Sequence, residues 1–135
     1  MKIRKGVIEQ IIAHARNKAP IEACGYLAAR DGVIVRVYEL TNVDASSEHF
    51  SFDPGEQFSA VKDARAGGLE VAAVYHSHPA SPARPSAEDI KLAFDPDQMY
   101  VIVSLAAGRD DVKAFWIKDQ KVSGEDLEVV NDVGL

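Results

Sequence analysis

Cysteine is almost absent. Cys24 is the only one in 135 residues, so no intrachain disulfide can hold the fold together. No stretch approaches the ~18 consecutive apolar residues of a membrane span. The basic opening Met1-Lys2-Ile3-Arg4-Lys5 is not followed by an apolar h-region, because Glu9 and His14 interrupt the only candidate stretch. No signal peptide is therefore expected, and a lone thiol without an export signal points to a reducing, cytoplasmic location. Positive charge is also short: 15 Lys and Arg stand against 21 Asp and Glu, a net charge of −6. That balance argues against general nucleic-acid binding. Internal repeats and low-complexity tracts are missing as well.

What remains is a globular balance, 47% apolar and 27% charged. The length suits one domain, expected over residues 1–135, able to bury roughly two-thirds of its unfolded surface. Val7, Ile8, Ile11, Ile12 and Ala15 fall at helical spacing, which predicts a helix over 3–18 stopped by Pro20. Residues 23–29 and 33–40 read as two strands around the turn signal Asp31-Gly32. Residues 41–52 read as a polar loop. Asp53-Pro54-Gly55-Glu56 then opens a helix that should end at Gly67-Gly68. An apolar strand over 69–78 ends in Tyr75-His76-Ser77-His78. A loop with Pro79, Pro82 and Pro85 follows, and a short helix runs from Ser86 to about Phe94. Residues 100–106 and 112–117 predict a second hairpin around Gly108-Arg109-Asp110-Asp111. The tail from Asp119 is polar and expected to be loosely ordered, with one short strand at 127–130. Strands and helices mixed in this way predict a sheet covered by helices.

The chemistry concentrates between His76 and Asp89. His76 and His78 stand two apart at a strand end, so their side chains share one sheet face and can reach one ion. Asp89 falls in the first turn of the next helix, a favourable place for a carboxylate. Two neutral imidazoles and one carboxylate suit Zn²⁺ and leave a fourth position open, where water would have a pKa near about 7. H-x-H alone is a weak signal. Ser86 and Asp89 also form a plain capping box, a reading that does not exclude function. Glu22 opens the apolar strand 23–29. It is either a solvated strand end or the base that hydrolysis by a metal site requires.

The spacing carries a resemblance. His76-Ser77-His78, seven residues, Ser86, two residues and Asp89, with Glu22 upstream, resembles the signature of the JAMM metalloproteases, the catalytic branch of the MPN domains. Pro79 and Pro85 fit the family's HP and PS pairs, and Glu22-Ala23-Cys24-Gly25-Tyr26-Leu27 is similar to its E-x-C-G-x-L strand start. The resemblance implies an α/β fold, a single mixed sheet flanked by helices of the cytidine-deaminase-like kind. It implies one Zn²⁺ per chain held by His76, His78 and Asp89, with Glu22 as general base and then acid, and Ser86 supporting the oxyanion. The chain is short for that family and resembles its compact prokaryotic type, which lacks large insertions. The implied activity is hydrolysis of a peptide or isopeptide bond at the C-terminal Gly-Gly tail of a ubiquitin-like or sulfur-carrier protein. A non-catalytic MPN-type binding module with structural or no metal is the alternative, and a thiol hydrolase built on Cys24 is the lesser one. No nucleic acid or membrane partner is expected, and the chain is expected to be a monomer or weak homodimer.

Other residues read as structural. His14 is expected at the helix surface or a polar edge, and the loop around His49 as a surface connection, with a fold over the cleft that adds to a substrate groove as the alternative. Arg84 reads as a solvated loop residue. One of Phe115 and Trp116 should face the core, and Tyr75 should point to the sheet face opposite the histidines.

Overall fold

A computed structural model describes residues 1–131. Among these residues eight strands form one sheet, in the order β7 (Lys121–Glu125), β6 (Asp111–Lys118), β5 (Met99–Ser104), β4 (Glu70–His78), β2 (Cys24–Arg30), β3 (Val33–Leu40), β1 (Lys2–Arg4), β8 (Glu128–Val130). The chain opens with β1 (Lys2–Arg4), parallel to both β3 (Val33–Leu40) and β8 (Glu128–Val130). Helix α1 (Lys5–Lys18) therefore starts later than its periodicity predicts. Ile3 is completely buried inside a sheet instead of heading the helical stripe.

Strands β2 (Cys24–Arg30) and β3 form the expected antiparallel hairpin, with Asp31 and Gly32 both at positive φ. That backbone is the one a two-residue hairpin turn demands. Helix α2 (Pro54–Ala66) begins as its sequence predicts. The Asp53 side chain accepts the Gly55 N–H at 3.1 Å, Pro54 sits in the first turn, and the helix stops at Gly67. Strand β4 (Glu70–His78) then pairs antiparallel with β2 and parallel with β5 (Met99–Ser104), so it lies inside the sheet.

Between them, α3 (Ala87–Lys91) is shorter than predicted and ends before Phe94. β5 leads through a 3₁₀ turn (Ala106–Gly108) into β6 (Asp111–Lys118). β7 (Lys121–Glu125) was not legible in the polar tail. It pairs with β6 across an Asp119-Gln120 turn in which both residues have positive φ.

The core lies mainly on the α1 face. Val7, Ile11 and Ala15 pack there against Leu27, Ile34, Tyr75 and Val101. On the other face, Ala64 of α2 meets Ala28 and Leu69. The predicted mixed sheet with helices on its faces is what forms. Trp116 packs against the core edge, as the alternation of Phe115 and Trp116 allows. No helix among the described residues is long and apolar enough to cross a membrane.

Candidate metal centre

The last residues of β4 are its most buried, and they carry the site. Tyr75 points to the α1 face, as strand alternation predicts, and places its hydroxyl 2.7 Å from His14 Nδ1. His14 is thus a buried helix residue, 4% exposed, and not the surface residue expected from its polarity. It continues the Val7–Ile11 stripe by one further turn.

His76 and His78 occupy the opposite face. Their Nε2 atoms lie 3.1 Å apart, and Asp89 Oδ2 is 3.2 Å from the first and 3.1 Å from the second. Asp89 reaches that point because α3 begins at Ser86. The Ser86 N–H donates to the same Oδ2 at 2.9 Å, and the Asp89 N–H donates to Ser86 Oγ at 3.0 Å. The capping box and the ligand geometry are therefore one arrangement. Ser86 Oγ accepts in this box, which leaves its own proton free.

The proline-rich loop is held at its middle, through two adjacent carbonyls. His78 Nδ1 faces the Pro82 carbonyl at 2.9 Å, and Ser104 Oγ donates to the Ser81 carbonyl at 2.6 Å. A carbonyl only accepts, so Nδ1 carries the proton and Nε2 of neutral His78 presents a lone pair to the cluster. Burial pushes the His78 pKa down, but in the protonated ring the hydrogen bonds to Asp89 and Pro82 outweigh it and raise the net value. Burial pushes Asp89 up, yet its hydrogen bonds with both histidines hold it well below the usual carboxylate range.

Glu22 lies beside this cluster, at the entry to β2. It is 3% exposed, and its Oε1 has no hydrogen-bond partner among the described residues. Burial raises its pKa to about 8 against the lowering influence of His78. Its backbone is held on both sides. The Glu22 N–H donates to the Ser46 carbonyl at 2.9 Å, and Asn42 Nδ2 donates to the Glu22 carbonyl at 3.1 Å. The next residue is tied to the histidine strand, since the Ala23 N–H donates to Ser77 Oγ at 2.8 Å.

Two features were missed in the sequence. Phe50 stacks on the His76 ring, with centroids 4.8 Å apart and planes at 26°. The 41–52 loop is therefore not a plain surface connection; it covers one side of the site. It also walls a cavity of about 230 Å³ with Phe52, Leu92, Tyr100, His76 and Asp89. The available signal was a Phe-x-Phe pair in an otherwise polar segment. Asn42, which orders the loop, gave no signal. Arg84 is exposed, as expected.

A family model described as prokaryotic homologs of the JAB domain (Prok-JAB) matches residues 4–118. The chain belongs to the Prok-JAB family. Among its relatives, the CysO-cysteine peptidase of Mycobacterium tuberculosis is 36% identical over 95% of this chain and 90% of its own length. The probable TtuB-protein conjugate cleaving protease of Thermus thermophilus is 36% identical over 87% of this chain and 76% of its own. Among solved structures, protein DSY2949 from Desulfitobacterium hafniense is 46% identical, covers 99% of this chain and 96% of its own, and superposes with a TM-score of 0.90. AF2198, a JAB1/MPN domain protein from Archaeoglobus fulgidus, is 25% identical with a TM-score of 0.67, covering 96% of this chain and 99% of its own. The resemblance to the compact prokaryotic JAMM type and the expected MPN fold are both borne out.

The donor set of this Prok-JAB chain fits zinc. Ligands 2.0–2.1 Å from a tetrahedral zinc lie about 3.3 Å from one another. The three donor atoms here stand 3.1 to 3.2 Å apart. The same three side chains form the one His/Cys/Asp/Glu group with metal-ligating geometry among the described residues. Cys24 does not join them. It is fully buried, its Sγ lies 3.7 Å from the Leu40 carbonyl, and burial pushes its thiol up to about 12. A thiolate nucleophile is thereby disfavoured at neutral pH.

Proposed function

We propose that this chain is a zinc-dependent metallopeptidase. It hydrolyses a peptide or isopeptide bond at the C-terminal Gly-Gly tail of a ubiquitin-like or sulfur-carrier protein. The observation that carries the reading is a three-donor cluster with a buried carboxylate beside it, Glu22, whose Oε1 has no hydrogen-bond partner among the described residues. The CysO-cysteine peptidase and the TtuB-protein conjugate cleaving protease support the substrate class, since both names describe cleavage of a bond to a protein.

His76, His78 and Asp89 would hold the zinc. Zinc bound by such a set leaves a coordination position open, polarises a carbonyl and lowers the pKa of water to about 7. Glu22 takes the proton of the attacking water and delivers it to the departing amine, so water is added across the bond and both products leave neutral in proton count. The Ser86 hydroxyl, its proton free of the capping box, donates to the carbonyl oxygen as negative charge develops there. The cavity beside Phe50 is lined by His76 and Asp89, so a tail that enters it reaches the cluster.

Elemental analysis of purified wild type and His78→Ala tests the metal. About one zinc per chain in the wild type and little in the variant is expected. Glu22→Gln should then bind zinc normally and lose cleavage of Gly-Gly-tailed carriers by about 10²- to 10⁴-fold. A folded wild type that takes up no zinc would sink the reading. Tight carrier binding without turnover would turn it toward a binding module.

A further inference from the structure

We propose that Asn42 is a positioning residue for Glu22. Its side-chain amide holds the backbone from which the Glu22 carboxylate projects beside the histidine cluster. The inference rests on the peptidase reading and adds a residue that the motif does not contain.

Asn42 saturates its hydrogen-bonding capacity. Its Nδ2 donates to the carbonyls of His49 at 3.0 Å and Glu22 at 3.1 Å, with Ser46 at 3.5 Å as a weaker third. Its Oδ1 accepts the N–H of Asp44 at 3.1 Å and of Ser51 at 3.3 Å. A primary amide offers two donors and one acceptor oxygen with two lone pairs, so nothing is left over. One side chain thus does for the 41–52 loop what a ladder does for a strand. Outside that loop, the only side-chain hydrogen-bond partner of Asn42 among the described residues is Glu22.

Glu22 depends on this support. Its buried Oε1 has no partner among the described residues, so no hydrogen bond to that atom orients the carboxylate. The hydrogen bonds that hold this residue are on its main chain. The Glu22 N–H is held by the Ser46 carbonyl and its own carbonyl by Asn42, two groups of the same loop. By fixing the His49 carbonyl, Asn42 also places the neighbouring Phe50 ring against His76. Proton transfer is steep in geometry, and a displacement of about 1 Å can cost on the order of 10²-fold in rate. None of the hydrogen bonds of Asn42 reaches a metal-ligating atom, and the Glu22→Gln background separates its effect through Glu22 from any through Phe50.

The test compares Asn42→Ala and Asn42→Asp in the zinc-loaded full chain. The Asp variant keeps the acceptor for Asp44 and Ser51 but cannot donate to Glu22. Both variants should retain zinc stoichiometry, lower kcat by about 10- to 100-fold, and keep KM within about twofold. In the Glu22→Gln background, the Asn42 substitution should cost nothing further. Hydrogen exchange of the Glu22 amide, read by NMR, should accelerate at least about tenfold in both variants. Wild-type kcat in Asn42→Asp, or unchanged Glu22 exchange in a folded variant, overturns the proposal. If Asn42→Ala does not fold, Asn42→Asp carries the test alone. A wild type that cleaves no Gly-Gly-tailed carrier, with Glu22 exchange still accelerated in Asn42→Asp, removes the peptidase reading and leaves the clamp standing.

Discussion

His14 shows how much one residue's surroundings decide. Burial lowers its pKa from the ordinary value, Glu39 pulls the other way, and Lys18 adds to the lowering. Its ring faces the Tyr75 hydroxyl on β4 and sits 3.9 Å from the Glu39 carboxylate on β3. A histidine whose folded pKa is depressed favours the neutral form, so its contribution is complete above about pH 6.5 and lost as pH falls below it. Urea unfolding from pH 7 to pH 5 should show wild type losing stability more steeply than His14→Gln. Equal slopes would mean that His14 titrates alike in both states. Part of this was legible, since positions 7, 11 and 14 share a helix face; only the residue's polarity argued for the surface. Gly25 is a second example. A Cβ there would lie 2.1 Å from the Tyr38 carbonyl and 2.5 Å from the Tyr75 ring. The family-like Cys24-Gly25 pair thus has a packing reason that no spacing argument could reveal.

The elements divide by how local their determinants are. The H-x-H pair, the capping box and the start of α2 depend on neighbours within a few positions, and all were legible. The 41–52 loop depends on Asn42 reaching Glu22, twenty positions earlier in the chain, through backbone atoms that carry no residue signature. β1 was hidden because Ile3 fits the stripe of the following helix. β7 was hidden because Lys121, Val122 and Ser123 are all exposed and its turn lacks glycine. The loop also yields a prediction. Phe50 packs on one face of His76 and so restricts the ring orientation from which Nε2 reaches the cluster. Aromatic contacts of this kind contribute roughly 0.5–1.5 kcal/mol. Phe50→Ala should weaken zinc binding by about two- to tenfold in a competition titration against a chromophoric chelator. An unchanged affinity would show that Phe50 serves only as a wall of the neighbouring cavity.

At the scale of the whole molecule, the fold and the site are built from different residues. The main core packs α1 on one sheet face and contains none of His76, His78, Asp89 or Glu22. The site sits on the other face, where β4, inside the sheet, stops between the entry to β2 and the end of β5. The apolar core is therefore built without the three donors, which stand at tetrahedral spacing on the other face. A ligand that binds only the folded state stabilises it by mass action, about 2.7 kcal/mol at a hundredfold excess over Kd. For a chain of this length, that corresponds to a rise in Tm of about 10 °C. Dialysis against a chelator should leave the far-ultraviolet circular dichroism unchanged while lowering Tm by about that amount, and zinc should restore it. In His78→Ala, zinc and chelator should give nearly the same Tm, because the site has lost a ligand. Complete unfolding on zinc removal would instead make the metal part of the fold. An identical Tm with and without zinc in the wild type would show that the three donors do not bind it at the concentrations used.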